Sequence, residues 1–178
     1  MTTVAYQGMP GAYSHIAAQK CCPHAEYLPC FSFEDTFAAV QNGKADLAVI
    51  PVENSTAGKV VEAQLLIEST SLRTIGEYYL RIEHQLIGLP GSKLENIRTV
   101  LSHPQALAQC RKFINQHNLR PIIGTDTAGS CPEIMQRQDK TLAAIASELA
   151  AHIYGLDILA SNIEDSDTNT THFLIFAR

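Results

Sequence analysis

The sequence predicts an α/β protein folded as two lobes, and three observations lead there. Short apolar strands alternate with amphipathic helical stretches along nearly all of its 178 residues. That rhythm is the mark of sheets with helices packed on their faces. A long extended stretch near 73–89 interrupts the alternation in mid-chain, and a polar loop-like stretch at 161–170 interrupts it again. Read as two crossings, these breaks divide the chain into lobe 1 (1–76 and 161–178) and lobe 2 (77–160), hinged over a cleft. A single sheet with one long edge strand is the alternative reading.

The elements follow in order. Strand 2–7 leads to a helix near 11–21. Strand 26–31 leads to Ser32, a residue type that caps helices, with Asp35 three positions on and a helix to about 42. Strand 46–52 precedes a helix near 58–69. Strand 97–101 feeds a helix opening at Pro104, a favoured first-turn residue. Strand 119–124 feeds a helix near 127–138, and strand 142–146 a helix near 147–154. Strands near 156–160 and 171–177 close the chain. The strand–helix alternation predicts parallel pairing.

Composition narrows the function. With 46% hydrophobic and 17% charged residues the chain can bury a core. A formal net charge of -5 argues against a nucleic-acid partner, which calls for surplus Lys and Arg. It also means that an anionic ligand must be captured locally. The five cysteines, Cys21, Cys22, Cys30, Cys110 and Cys131, form no CxxC pair. They read as reduced, small apolar residues and not as a disulfide or zinc framework. No basic leader precedes the first strand and no apolar run approaches the roughly 18 residues of a membrane span, so a cytoplasmic protein is expected, or one of an organelle matrix if a transit segment preceded this numbering. No P-loop, GxGxxG fingerprint or GxSxG elbow is present, and no cofactor or metal is implied.

Four strand-to-helix junctions carry unusual chemistry: Gln7–Ser14, Pro51–Gly58, Ser102–Gln105 with Gln109 beyond it, and Gly124–Ser130. Each mixes small residues with hydroxyls and amides. In open α/β sheets ligands bind where strands end and backbone N–H groups point outward. Helix capping alone explains any one junction; four together, with Glu53 and Asn54 directly after an apolar strand, point to a site. Glu53 is expected to be desolvated there, which raises a carboxyl pKa and suits proton transfer or substrate anchoring. His103 fits a cap or a ligand role equally.

Taken in order, Tyr6-Gln7-Gly8-Met9-Pro10-Gly11-Ala12-Tyr13-Ser14, Pro51-Val52-Glu53-Asn54-Ser55 and Ser102-His103-Pro104-Gln105 through Cys110 resemble the prephenate/arogenate dehydratase family. Ala143-Ala144-Ile145-Ala146-Ser147, Tyr154-Gly155-Leu156 and Asn162-Ile163-Glu164-Asp165 add to the resemblance, which covers essentially the whole chain. It implies two lobes like those of type 2 periplasmic binding proteins, with the active site in the cleft between them. The implied reaction takes carbon dioxide and water from prephenate to give phenylpyruvate, or from arogenate to give phenylalanine. The same architecture without turnover, a small-anion receptor, is the rival. By resemblance Thr171 is the catalytic hydroxyl, and Glu53 is the second catalytic candidate, lining the substrate site. Asn54, Ser55, Ser102, His103, Gln105, Gln109, Thr127, Ala128 and Phe173 are expected to hold the substrate, and the chain is expected to form a homo-oligomer.

Two departures stand out. The family's Thr-Arg-Phe motif reads Thr171-His172-Phe173 here. Strand alternation puts His172 on the face opposite Thr171, unless the family's Arg holds a substrate carboxylate. The regulatory ACT domain that usually follows the catalytic part lies outside this sequence, so inhibition by phenylalanine is expected to be weak or missing.

Overall fold

A computed structural model describes residues 1–178. The chain divides into two compact units. Unit 1 comprises Met1–Met9, Tyr13–Ile82 and Thr168–Arg178; unit 2 comprises Pro10–Ala12 and Glu83–Asp167. The divisions fall later than 76/77 and 160/161 because the first half of the long extended stretch stays paired in unit 1 as far as residue 81.

Unit 1 holds β1 (Thr3–Gln7), α1 (Tyr13–Cys21), β2 (Glu26–Cys30), α2 (Phe33–Gln41), β3 (Leu47–Asn54), β4 (Gly58–Lys59), α3 (Val61–Ser69) and β5 (Arg73–Arg81), and is completed by the chain's last strand. Unit 2 holds β6 (Gln85–Gly88), β7 (Thr99–Ser102), α4 (Pro104–Gln109), α5 (Arg111–Gln116), β8 (Arg120–Ile123), α6 (Ser130–Arg137), β9 (Leu142–Ala146), α7 (Glu148–Ile153) and β10 (Asp157–Ala160). The last strand is β11 (Thr170–Ala177). No helix is long and apolar enough to cross a membrane.

In unit 1 the strand order is β2-β1-β3-β11-β5, with β4 paired to β3. The strands β1, β2 and β3 run parallel. The expectation of purely parallel pairing fails at β11, which enters antiparallel between β3 and β5. It has no crossover helix to orient it, because it arrives from the other unit. Two apolar layers flank the sheet. Ala5, Phe37, Val40, Ala48, Ile50 and Phe176 pack on one face. Val4, Ala17, Ala18, Val49 and Phe173 pack on the other. Ser32 caps α2 as its position suggests, its Oγ accepting from the Asp35 N–H at 3.0 Å.

The sheet of unit 2 runs β10-β6-β9-β7-β8. Again β7, β8 and β9 are parallel while β6 and β10 are antiparallel to their neighbours. The all-buried β9, Leu-Ala-Ala-Ile-Ala, lies in the middle of the sheet, covered on both faces. The long stretch read from sequence as one element breaks at Ile82–His84, where its two halves join different sheets.

The loop Pro10–Ala12 packs on α7. Ser147 caps that helix and its Oγ also donates to the Gly11 carbonyl at 2.5 Å, while the Tyr154 hydroxyl donates to the Pro10 carbonyl at 3.0 Å. Gly11 has φ +96°, and a Cβ there would lie 2.7 Å from the Ala150 Cα. Gly155 also has positive φ, +64°, but open space around it. Gly11→Ala should therefore cost about 2–4 kcal/mol, strain plus overlap, against about 1 kcal/mol for Gly155→Ala. Equal losses in urea unfolding would show that the Ala150 contact is immaterial.

Candidate functional site

Strand β3 ends in Glu53-Asn54, and the turn after it is held by one side chain. The Asn54 Oδ1 accepts from the Thr56 and Ala57 N–H groups at 3.0 and 2.9 Å. Such Asx turns form because a short amide can replace the backbone carbonyl as acceptor. Gly58, at φ +85°, then lets the chain fold back as β4. The expected helix start at Pro51–Gly58 is thus a hairpin, and α3 opens only at Val61.

With Oδ1 fixed on the turn, the Asn54 Nδ2 must face β11. It donates to the Thr171 Oγ1 at 2.9 Å and to the Asn169 Oδ1 at 2.9 Å, with a longer approach to the Thr170 carbonyl at 3.4 Å. These partners settle the orientation of the amide. Ser55 ties the same two strands: its N–H donates to the Thr170 carbonyl, and its Oγ accepts from the Thr170 N–H, both at 2.9 Å. Its Oγ also donates to the Thr168 carbonyl at 3.3 Å. Thr171 is 8% exposed and Asn169 1% exposed. Thr171, Asn54 and Ser55 are therefore brought together, and Asn169, part of a loop-like stretch in the sequence, joins them.

Glu53 and Phe173 are placed differently. Glu53 is exposed, so the expected desolvation does not occur. The apolar run ends at Val52, and the next residue of a strand turns to the other face. Its register partners are Lys59 and His172, whereas Thr171 pairs with Asn54. Phe173 is buried in the core beside Val4, Ala17 and Val49, a packing position. His172 points away from Thr171. Its ring stacks on Tyr79 at 4.3 Å and its Nε2 meets the Glu77 carboxylate at 2.7 Å.

In unit 2 the third and fourth junctions lie side by side, because β7 and β8 pair in register from Thr99↔Arg120 to Ser102↔Ile123. Ser102 is fully buried, and its Oγ donates across to the Ile145 carbonyl at 2.7 Å. The Gly124 N–H donates to the Ser102 carbonyl. His103 is the cap of α4, Nδ1 accepting from the Gln105 N–H at 3.1 Å, which leaves Nε2 as the ring nitrogen able to meet a ligand. Gln105 is exposed, Thr127 half-buried and Ala128 buried. The helix expected from 127 begins at Ser130. Asp126 accepts from the Gly129 N–H through its carboxylate and from the Ser130 hydroxyl through its carbonyl, so 126–129 form a turn.

Gln109 lies at the far end of α4 on a buried histidine, His84. The His84 Nε2–H pairs with the Gln109 Oε1 at 2.8 Å, and the His84 backbone N–H donates to the Glu164 carboxylate at 3.0 Å. Burial holds His84 below its ordinary pKa, against smaller upward pulls from Gln109 and Glu164. His15, stacked on Tyr6 at 4.7 Å, is lowered by burial too. All five cysteines are free, and burial pushes the Cys131 thiol up to about 12. No group of three or more His, Cys, Asp or Glu side chains is arranged to hold a metal ion.

Comparison with known proteins bears on this arrangement. A family model described as prephenate dehydratase matches residues 4–178. The bifunctional N-acyl-homoserine lactone acylase/prephenate dehydratase of Komagataeibacter europaeus is 43% identical, covering 98% of this chain and 62% of its own length. Arogenate dehydratase/prephenate dehydratase 1, chloroplastic, of Arabidopsis thaliana is 45% identical over 98% of this chain and 45% of its own. The chain thus spans about half the length of these curated relatives. The solved prephenate dehydratase of Arthrobacter aurescens in complex with L-Phe superposes with a TM-score of 0.90 at 30% identity, covering 99% of this chain and 60% of that one. The ligand-binding component of an ABC-type import system from Staphylococcus aureus, at 11% identity and TM-score 0.51 over 99% of this chain and 65% of that one, shares the fold alone.

The two histidines set a pH dependence. Each has a folded-state pKa below the ordinary 6.5, so the unfolded chain binds more protons and stability rises with pH through that window. Their contribution is complete above about pH 6.5 and shrinks on acidification. Urea unfolding at pH 7.5 and 5.5 should show wild type losing stability, and His84→Gln losing less. Identical losses in the two proteins would remove His84 from the account.

Proposed function

The chain belongs to the prephenate dehydratase family, and on that premise we propose that it converts prephenate to phenylpyruvate with loss of carbon dioxide and water. The hydrogen bond from the Asn54 Nδ2 to the Thr171 Oγ1 at 2.9 Å is the observation that carries this reading. In the reaction the bond from the ring to its carboxylate breaks and its electron pair enters the ring. The C–O bond on the opposite side of the ring breaks, and the departing hydroxide takes a proton to leave as water. Aromatisation drives the step, so what the protein must supply is orientation and a proton.

A Thr hydroxyl is a weak acid, and two features of its setting compensate. Because Asn54 donates into Oγ1, the Thr171 proton is left to point toward an acceptor other than Asn54. As that proton leaves, the same N–H stabilises the charge developing on Oγ1, in surroundings largely closed to water. Solvent then returns the proton to Oγ1. On this reading Asn54 positions the hydroxyl and does not itself grip the substrate. Within unit 2, His103, Gln105, Gln109 and Thr127 are the proposed donors to substrate carboxylates, while Ser55 holds β3 to the segment leading into Thr171. Glu53, exposed on the other face, takes no proton-transfer role. Ser102 and Ala128, buried in unit 2, and Phe173, buried in the core of unit 1, are proposed to support their own units and not to touch the substrate. The protein works in a reducing compartment, the cytoplasm, as an assembly of identical chains; its free thiols support the first point.

Arogenate is the second substrate to test, because plant relatives at 43–45% identity carry it in their names. The purified chain should release phenylpyruvate from prephenate, while arogenate in a parallel reaction reports any phenylalanine. Binding of both without product would favour a receptor. Thr171→Ala should lower kcat by about 10²–10⁴ with the fold intact, and Thr171→Ser should keep more activity. His172→Arg, changed on the opposite face, should alter KM by less than about threefold. A large fall in KM would instead mean that residue 172 reaches the substrate.

A further inference from the structure

We infer that Asn169 is a positioning residue for the proton donor, acting through Asn54; this rests on the reading just given. Asn169 is 1% exposed and lies two residues before Thr171, where its Oδ1 accepts one of the two Asn54 Nδ2 hydrogens at 2.9 Å. The other hydrogen goes to the Thr171 Oγ1 at the same distance. An amide nitrogen is planar, so the two N–H directions are fixed relative to each other, and the position of one acceptor sets the aim of the other hydrogen. Asn169 is itself held in place, its carbonyl accepting from the Ile82 N–H at 2.7 Å at the end of β5.

Removing the Asn169 acceptor leaves the Asn54 Nδ2 one candidate close by, the Thr170 carbonyl at 3.4 Å. To reach it the amide must twist, which swings the second N–H off the Thr171 Oγ1. The Thr171 hydroxyl is then no longer oriented by an incoming donor, and its proton turns toward any neighbouring acceptor. A buried N–H left without a partner is costly enough to force this rearrangement. Asn169 thus governs turnover without touching substrate, and affinity, set elsewhere, is expected to stay.

Asn169→Ala should lower kcat about 10- to 100-fold, the scale of losing alignment of a reacting group, with KM within about threefold of wild type. Asn169→Asp, which keeps an acceptor oxygen in the same place, should recover most of that loss per folded molecule. In an Asn54→Ala background, Asn169→Ala should cost less than about twofold further, because the two act in series. Additive losses, or a change confined to KM, would overturn the inference. A wild-type chain that turns over neither prephenate nor arogenate defeats the functional reading instead, and nuclear magnetic resonance then decides the structural half. The Asn54 side-chain amide protons should exchange slowly with solvent in wild type and in Asn169→Asp, and rapidly in Asn169→Ala. Unchanged exchange in Asn169→Ala would sink the inference whatever the activity.

Discussion

One primary amide organises the end of the unit 1 sheet. Asn54 is the point at which a strand, a turn and a strand from the far end of the chain are fixed to one another, because its four hydrogen-bonding directions are all committed. A carboxylate could not do this, since it has no N–H to offer β11, and a hydroxyl could not span both sides. The turn needs an acceptor and β11 needs a donor. Only an amide supplies both from a side chain short enough to stay in register. The asymmetry of that group makes the Thr171 Oγ1 the acceptor of this contact.

Unit 2 uses different means. Its polar turns emerge at the carboxyl ends of the parallel strands β7 and β8, where free backbone N–H groups gather in α/β sheets. There the side chains mostly hold the backbone: Ser102 reaches across to β9, His103 caps α4, and Asp126 closes the turn before α6. The protein carries a net charge of -5, so anion capture of the kind proposed relies on oriented dipoles at these turns and not on surplus cationic side chains.

Much of this was legible in the sequence because it is local. Strand limits, the Ser32 cap and the Pro104 helix start follow from patterns a few residues long. The Glu53 error has the same origin in reverse. Five apolar residues suggested a buried end, but the alternation of a strand sends its side chain to the face where Lys59 and His172 lie. Partnerships across long separations were not legible. Asn54 and Asn169 stand 115 positions apart, and nothing near Asn169 distinguishes it from a loop asparagine. His84 sits in the break of a stretch that looks continuous, and only folding reveals Gln109 as its partner. Antiparallel entry of β11 is likewise a property of the path the chain takes between units, which no local period encodes.

The position of β11 has a consequence for biogenesis. This last strand fills a central slot between β3 and β5, so β5 has no ladder neighbour until residues 170–177 have left the ribosome. During synthesis the first eighty or so residues wait with an open seam, while the nearly continuous stretch Glu83–Asp167 can condense on its own timetable. Nascent chains are thus most vulnerable to mispairing along the unfilled edges of β3 and β5. The strand that closes this gap is also the one bearing Thr171, so the hydroxyl proposed as proton donor is seated by the same event that completes the sheet.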